Sequence, residues 1–189
     1  LCEEKGVTYE LVRAFPQSPE VNAISPTGQV PCLRHGDVSL FESRAIAGYI
    51  DSVFAGQKFL PTQHVAAAVT EQWISYGNTR VDRWLMREFV VPTVFADKVK
   101  GPDIARITAA RPEIEKVLDV LDRQLSSSAC LSGSELTYAD LNLVPMLWAF
   151  QTLPAGRELL TAFDAVGDYY TRMSLRPSFL ATEPPPRRP

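Results

Sequence analysis

A chain of 189 residues, 46% hydrophobic, is long enough for one large domain or two small ones, each with a buried core. A formal net charge of −3, with no run of Lys and Arg interleaved with aromatics, excludes a nucleic-acid footprint. No stretch approaches the roughly 20 apolar residues of a membrane span and no basic-then-apolar signal segment opens the chain, so the default setting is cytoplasmic.

Cys2, Cys32 and Cys130 are widely spaced, without a CxxC, and their odd number argues against a disulfide framework. With only His35 and His64 as histidines, a His-rich zinc site is not expected and no metal is assigned.

In chain order, "LCEEKG" reads as the last turn of a helix closed by Gly6, in the left-handed role that glycine fills. So short a helix is unstable alone, and together with the opening Leu this predicts that it begins upstream of Leu1. "VTYELV", Val7 to Val12, alternates β-branched and aromatic residues with polar ones and predicts a strand. The segment "PQSPEVNAISPTG" is mainly loop, with room for a helical turn or two. "VPCL" and "VSLF" predict an antiparallel hairpin, with Gly36-Asp37 in the turn. From Ser43 the period lengthens, and Ala45, Ile46, Tyr49, Ile50 and Val53 predict a helix to about Phe54. "AGQKFLPTQ" then supplies a linker and a domain boundary.

Beyond Thr62 the patterning is helical. Val69, Trp73, Tyr76, Val81, Trp84, Leu85 and Phe89 form one stripe, with a kink expected at Gly77-Asn78. Ile104, Ile107, Ile114, Val117, Leu118, Leu121 and Leu125 form the next. "ELTYADLNLVPMLWAF" opens the most apolar helix, with Pro145 inside it; "LPAGR" closes it, and two further helical pieces lead to Arg176-Pro177. "TEPPPRRP" ends the chain as a Pro-rich extended tail. The fold class is α+β followed by all-α, with domains over 1–55 and 62–181 and the tail over 182–189.

Two motifs carry chemistry. Pro31 cannot donate to a sheet ladder and belongs at an edge or a strand's first residue. A trans bond is the commoner state before proline; a cis bond would turn the chain and present the Val30 backbone to an extended, peptide-like ligand. Ser43, where a strand gives way to a helix, is a natural N-cap. The same helix N-terminus is also a ready carboxylate site, with Glu42 beside it to take an ammonium group. Local sequence leaves both readings of each motif open.

"GQVPCL", then "LFESRAI", then a helical region holding "LTYADLNLVP" resemble the cytosolic glutathione transferases over nearly the whole chain. "GQVP", "FESRAI" and "EKVLDVLDRQL" lean toward the phi-like and related bacterial branches. The resemblance implies a thioredoxin-like N-terminal domain, its first strand absent from this chain, joined to a helical-bundle C-terminal domain, commonly in a cytoplasmic homodimer active in detoxification. It implies a cis Val30-Pro31 bond, the Val30 backbone paired with the cysteinyl part of glutathione, Glu42 and Ser43 on the γ-glutamyl end, and Gln29 as a further contact. Glutathione is then the co-substrate and a small apolar electrophile its partner, seated between the domains against the helix of Tyr76, Arg80 and Trp84, to which no site role is assigned.

The thiol-activating Ser, Tyr or Cys of the family lies upstream of Leu1, so the catalytic residue is not named. A His-Lys pair common near Pro16 and Gln17 has no counterpart here, and the Arg13 to Pro19 loop is short. Cys2 is expected to be a packing or surface residue, Cys32 buried in a strand, and Cys130 in a loop. Thr137 and Asp140 match the family's capping box, with Leu136 and Leu141 at its hydrophobic staple positions. A transferase-like module that binds ligand or a partner without catalysis, and a glutathione-dependent isomerase or dehalogenase, are the alternative functions.

Overall fold

The structure, a computed structural model, describes residues 1–96 and 101–184. The chain forms two compact units, Leu1–Leu60 and a second from Pro61 onward.

In the first unit, α1 (Cys2–Lys5) ends at Gly6, whose φ of 64° is the left-handed closure that glycine tolerates. α2 (Pro19–Asn22) is a single turn, capped by Ser18 Oγ, which accepts from the Val21 N–H. β1 (Cys32–His35) and β2 (Val38–Phe41) pair antiparallel, with Cys32 facing Phe41 and His35 facing Val38 across a two-residue turn at Gly36-Asp37. Gly36, at φ 56°, supplies the positive φ that such a turn needs. α3 (Ser43–Val53) lays Ile46, Ala47 and Ile50 into a small core with Val21 and Phe59. Ala45 and Val53, grouped with that stripe by periodicity, point outward, Val53 being 50% exposed.

Asp51 holds the unit together. It is 3% exposed, and its carboxylate accepts from the Phe59 N–H at 3.0 Å, the Leu60 N–H at 3.2 Å and Lys5 Nζ at 3.2 Å. Lys58 Nζ donates to the Asp51 carbonyl. The Lys5 side chain is itself fully enclosed and also donates to the Gln57 carbonyl, so α1 and the 57–60 segment are tied to the end of α3.

The strand expected over Val7 to Val12 does not form, and that segment runs irregular, exposed from Thr8 onward. A strand exists only through ladder bonds to a neighbour; the sheet among the described residues has two strands, and neither pairs with this segment.

The second unit is helical: α4 (His64–Tyr76), a π-helical stretch (Gly77–Val90), α5 (Val91–Val94), α6 (Ile104–Ser127), α7 (Tyr138–Gln151), α8 (Pro154–Leu160), α9 (Asp164–Ser174) and α10 (Pro177–Thr182). At Gly77-Asn78, where a kink is expected, the backbone stays in the helical region, with Gly77 at φ −55° and ψ −53°, and the hydrogen-bond register changes to π-helical. Gly77 also lets α7 come close: a Cβ there would lie 2.9 Å from Asn142 Nδ2, which bonds Asn78 Oδ1 at 2.9 Å. Val81, Leu85 and Phe89 meet Ile114, Leu118, Leu121, Leu143, Leu147 and Phe150 in the core, with the Phe89 and Phe150 rings 4.8 Å apart. Ile104, the first apolar residue of the α6 stripe, is 63% exposed, and the buried face begins at Ala110.

The capping box on α7 is deeply enclosed. Asp140 is 0% exposed; Oδ2 accepts from the Thr137 N–H at 3.0 Å and the Thr137 hydroxyl at 3.1 Å, while Oδ1 accepts from the Leu131 N–H at 2.8 Å and the Tyr169 hydroxyl at 3.0 Å. One carboxylate thus joins the 131 turn, α7 and α9. Pro177 opens α10, and Thr182, expected to begin the tail, is its last residue; Glu183 accepts from Trp148 Nε1 at 3.1 Å. The Pro-rich tail from Pro185 lies outside the described residues.

Candidate functional site

The hairpin register decides which residues meet. Because Cys32 faces Phe41, the chain entering β1 and the chain leaving β2 lie side by side at the open end of the hairpin. Val30-Pro31 and Glu42-Ser43 therefore flank the same end, although 11 residues intervene between Val30 and Glu42.

Val30-Pro31 is cis. Val30 is 47% exposed, and no hydrogen bond among the described residues uses its N–H or C=O. A backbone donor and acceptor are open there to an extended ligand, as β-augmentation requires. Gln29, also exposed, is fixed through its main chain: its N–H donates to Ser25 Oγ at 3.2 Å and its carbonyl accepts from Cys32 Sγ at 3.5 Å.

On the other side, Glu42 rather than Ser43 is the N-cap of α3, and Ser43 is the first helical residue. Glu42 has φ 69° and ψ 114°, a positive φ that a non-glycine residue adopts at some cost, while its carbonyl accepts from the Ile46 N–H at 3.0 Å to start the helix. Its exposed side chain makes no hydrogen bond or ion pair among the described residues, so a full negative charge stands beside the N–H groups of an 11-residue helix. Carboxylate next to helix N-terminus offers complementary places for an ammonium and a carboxylate on one ligand. Sequence reasoning saw the pair but not the strained backbone at Glu42, which has no signature in residue type.

Cys2 and Cys130 are unlike activated nucleophiles. Burial raises the Cys2 thiol, and burial followed by the Asp140 charge pushes Cys130 up to about 11. Cys130 is 8% exposed and bridges to Gly133, while Cys32, expected to be buried, is only half-buried. His35, also unassigned, bonds Tyr49 Oη through Nδ1 at 2.9 Å and packs on Phe54. Among the described residues no cluster of three or more His, Cys, Asp or Glu is placed to hold a metal.

In the second unit, Tyr76 and Arg80 line a cleft of about 300 Å³ with Gln72, Trp73, Ser75, Thr79 and Val120. Burial raises the Tyr76 phenol. Trp84 lies outside the cleft, with the Arg83 guanidinium 4.8 Å from its ring centre.

Comparison with known proteins decides the family. The description "Glutathione S-transferase, N-terminal domain" matches residues 1–52 and "Glutathione S-transferase, C-terminal domain" matches 104–172. Glutathione S-transferase 3 of Zea mays is 33% identical over 196 residues, covering 96% of this chain and 85% of that protein.

The chain belongs to the glutathione S-transferase family.

Solved transferases share the fold. Glutathione transferase F7 from Populus trichocarpa superposes with a TM-score of 0.86 at 28% identity, over 95% of this chain and 88% of that one. Maize glutathione S-transferase I, solved in complex with an atrazine glutathione conjugate, superposes with a TM-score of 0.84 at 28% identity, over 95% of this chain and 86% of that one. These likenesses bear out the thioredoxin-like N-terminal and helical C-terminal architecture expected from the motifs.

Proposed function

We propose that this protein conjugates the glutathione thiolate to small hydrophobic electrophiles. The observation that carries the reading is the likeness to a transferase holding a glutathione conjugate, over 95% of this chain at a TM-score of 0.84. The hairpin end gives it a physical basis. The open Val30 N–H and C=O pair with the cysteinyl main chain, as an added strand does. The N-terminus of α3, with Ser43 at its first position, takes the γ-glutamyl carboxylate, and Glu42 takes the α-ammonium. Gln29 closes the same edge.

Held at two points, glutathione presents its sulfur in a fixed direction, which turns a bimolecular attack into a positioned one. The thiolate sulfur forms a bond to the electrophilic carbon; a halide leaves in a substitution, or a proton is taken up in an addition. The thiol pKa of about 8.5 has to fall toward neutrality for this to run, and none of the residues assigned here performs that step. A cytoplasmic homodimer is part of the same proposal and rests on the family resemblance.

The test incubates the protein with glutathione and an aryl halide and follows the thioether by mass spectrometry. Product above the uncatalysed rate is expected. Glutathione binding without product would instead support a non-catalytic glutathione-binding module.

A further inference from the structure

Ser25 lies outside every motif considered above, yet it is 1% exposed and polar. Its Oγ accepts the Gln29 N–H at 3.2 Å and shares a hydrogen bond with Thr27 Oγ1 at 3.0 Å, while its carbonyl accepts the Gly28 N–H at 3.0 Å. Its own N–H donates to the Val21 carbonyl at 2.7 Å, anchoring it on α2. A buried hydroxyl therefore ties the chain two residues before Pro31 to the core of the first unit.

Gln17 grips the same turn from the solvent side. It has φ 67°; its N–H donates to the Gly28 carbonyl at 2.8 Å and its Nε2 to the Thr27 carbonyl at 3.0 Å. Asn22 Nδ2 in turn donates to the Gln17 carbonyl at 3.0 Å. Gly28, at φ 65°, leaves the space in which the Gln17 side chain sits: a Cβ there would come within 2.3 Å of Gln17 Oε1.

We propose that Ser25 and Gln17 are positioning residues for glutathione: from opposite sides they clamp the Thr27-Gly28 turn, and so fix the direction in which the Gln29-Val30 edge offers its backbone to the cysteinyl main chain. The inference rests on the reading of Val30 and Glu42 as the glutathione site. Neither residue touches the ligand. Each lowers the cost of ordering the edge when the ligand arrives, which appears as affinity.

Calorimetric titration with glutathione, together with KM values for glutathione and for the electrophile, tests it. Ser25→Ala removes the buried acceptor of the Gln29 N–H and is expected to weaken glutathione about tenfold, with the electrophile KM unchanged. Ser25→Thr keeps the acceptor oxygen and is expected to restore most of the affinity. Thr137→Ala, which loosens the second unit, controls for stability and is expected to leave glutathione affinity unchanged. Equal losses in Ser25→Thr and Ser25→Ala, or an electrophile KM that rises in step, assign the effect to general loosening and overturn the proposal. If Ser25→Ala does not fold, Gln17→Ala at an exposed position carries the test, with a loss of about threefold expected; no change there overturns the clamp. Glu42→Ala separates the two failures. Unchanged affinity in Ser25→Ala with a loss in Glu42→Ala removes the clamp alone, and unchanged affinity in both removes the site on which it rests.

Discussion

Replacing Asp140 by Ala leaves the Leu131 N–H, the Thr137 N–H and the Tyr169 hydroxyl without their acceptor in a site that is 0% exposed. The Thr137 hydroxyl can turn to Ser132 Oγ, 3.3 Å away, so three donors are stranded rather than four. Each stranded buried donor costs about 1 to 3 kcal/mol, and removing a buried carboxylate returns part of its desolvation penalty. The balance is a loss of about 3 to 5 kcal/mol. Urea unfolding of the intact chain, comparing midpoints at unchanged slope, measures it. Tyr169→Phe removes one of the partners and is expected to cost about 1 to 2 kcal/mol alone and almost nothing on the Asp140→Ala background. A loss under about 1 kcal/mol for Asp140→Ala, or additivity of the two substitutions, refutes the idea that this carboxylate joins α7, α9 and the 131 turn.

Other consequences follow from the same kind of accounting. Asp51→Ala strands the Phe59 and Leu60 N–H groups and removes the charge partner of the enclosed Lys5 ammonium, and is expected to cost about 2 to 4 kcal/mol, read by chemical denaturation. Gly156→Ala places a Cβ 2.1 Å from the Phe150 carbonyl oxygen, a backbone atom that cannot swing aside, and is expected to cost about 2 kcal/mol or more by chemical denaturation. Cys130 keeps its proton in the folded protein up to about pH 11, whereas unfolded it releases it near 9. The folded state then binds more protons across that window, so stability falls as pH rises from about 9 toward 11, and a Cys130→Ala protein loses that part of the slope.

The hairpin, α3 and the capping box were legible because each is a local pattern with its own chemistry: a Gly36-Asp37 turn between alternating runs, a change of period at Ser43, and a Thr137-x-x-Asp140 spacing. What resisted reading depends on partners far along the chain. Val7 to Val12 has strand composition but pairs with no strand among the described residues, and composition alone cannot supply a neighbour. Ile104 belongs to a helical stripe that is buried only from Ala110 onward, and the close approach of Asn142 to Gly77 leaves no signature in sequence spacing. At the candidate site the residue types were visible, but the placement of the cap at Glu42, its positive φ, and the buried Ser25 hydroxyl beneath Gln29 are tertiary facts. Ser25 sits in a Pro- and Gly-rich stretch that reads only as loop, and burial of a loop serine leaves no trace in its spacing.

The most direct measurement of the central claim is calorimetric titration of glutathione into the wild-type protein and Glu42→Ala. Truncation leaves the ligand's ammonium without its carboxylate, and the expected loss is about 2 kcal/mol or more, near thirtyfold in the dissociation constant. Equal affinity in the two proteins would contradict the placement of glutathione at the open end of the hairpin.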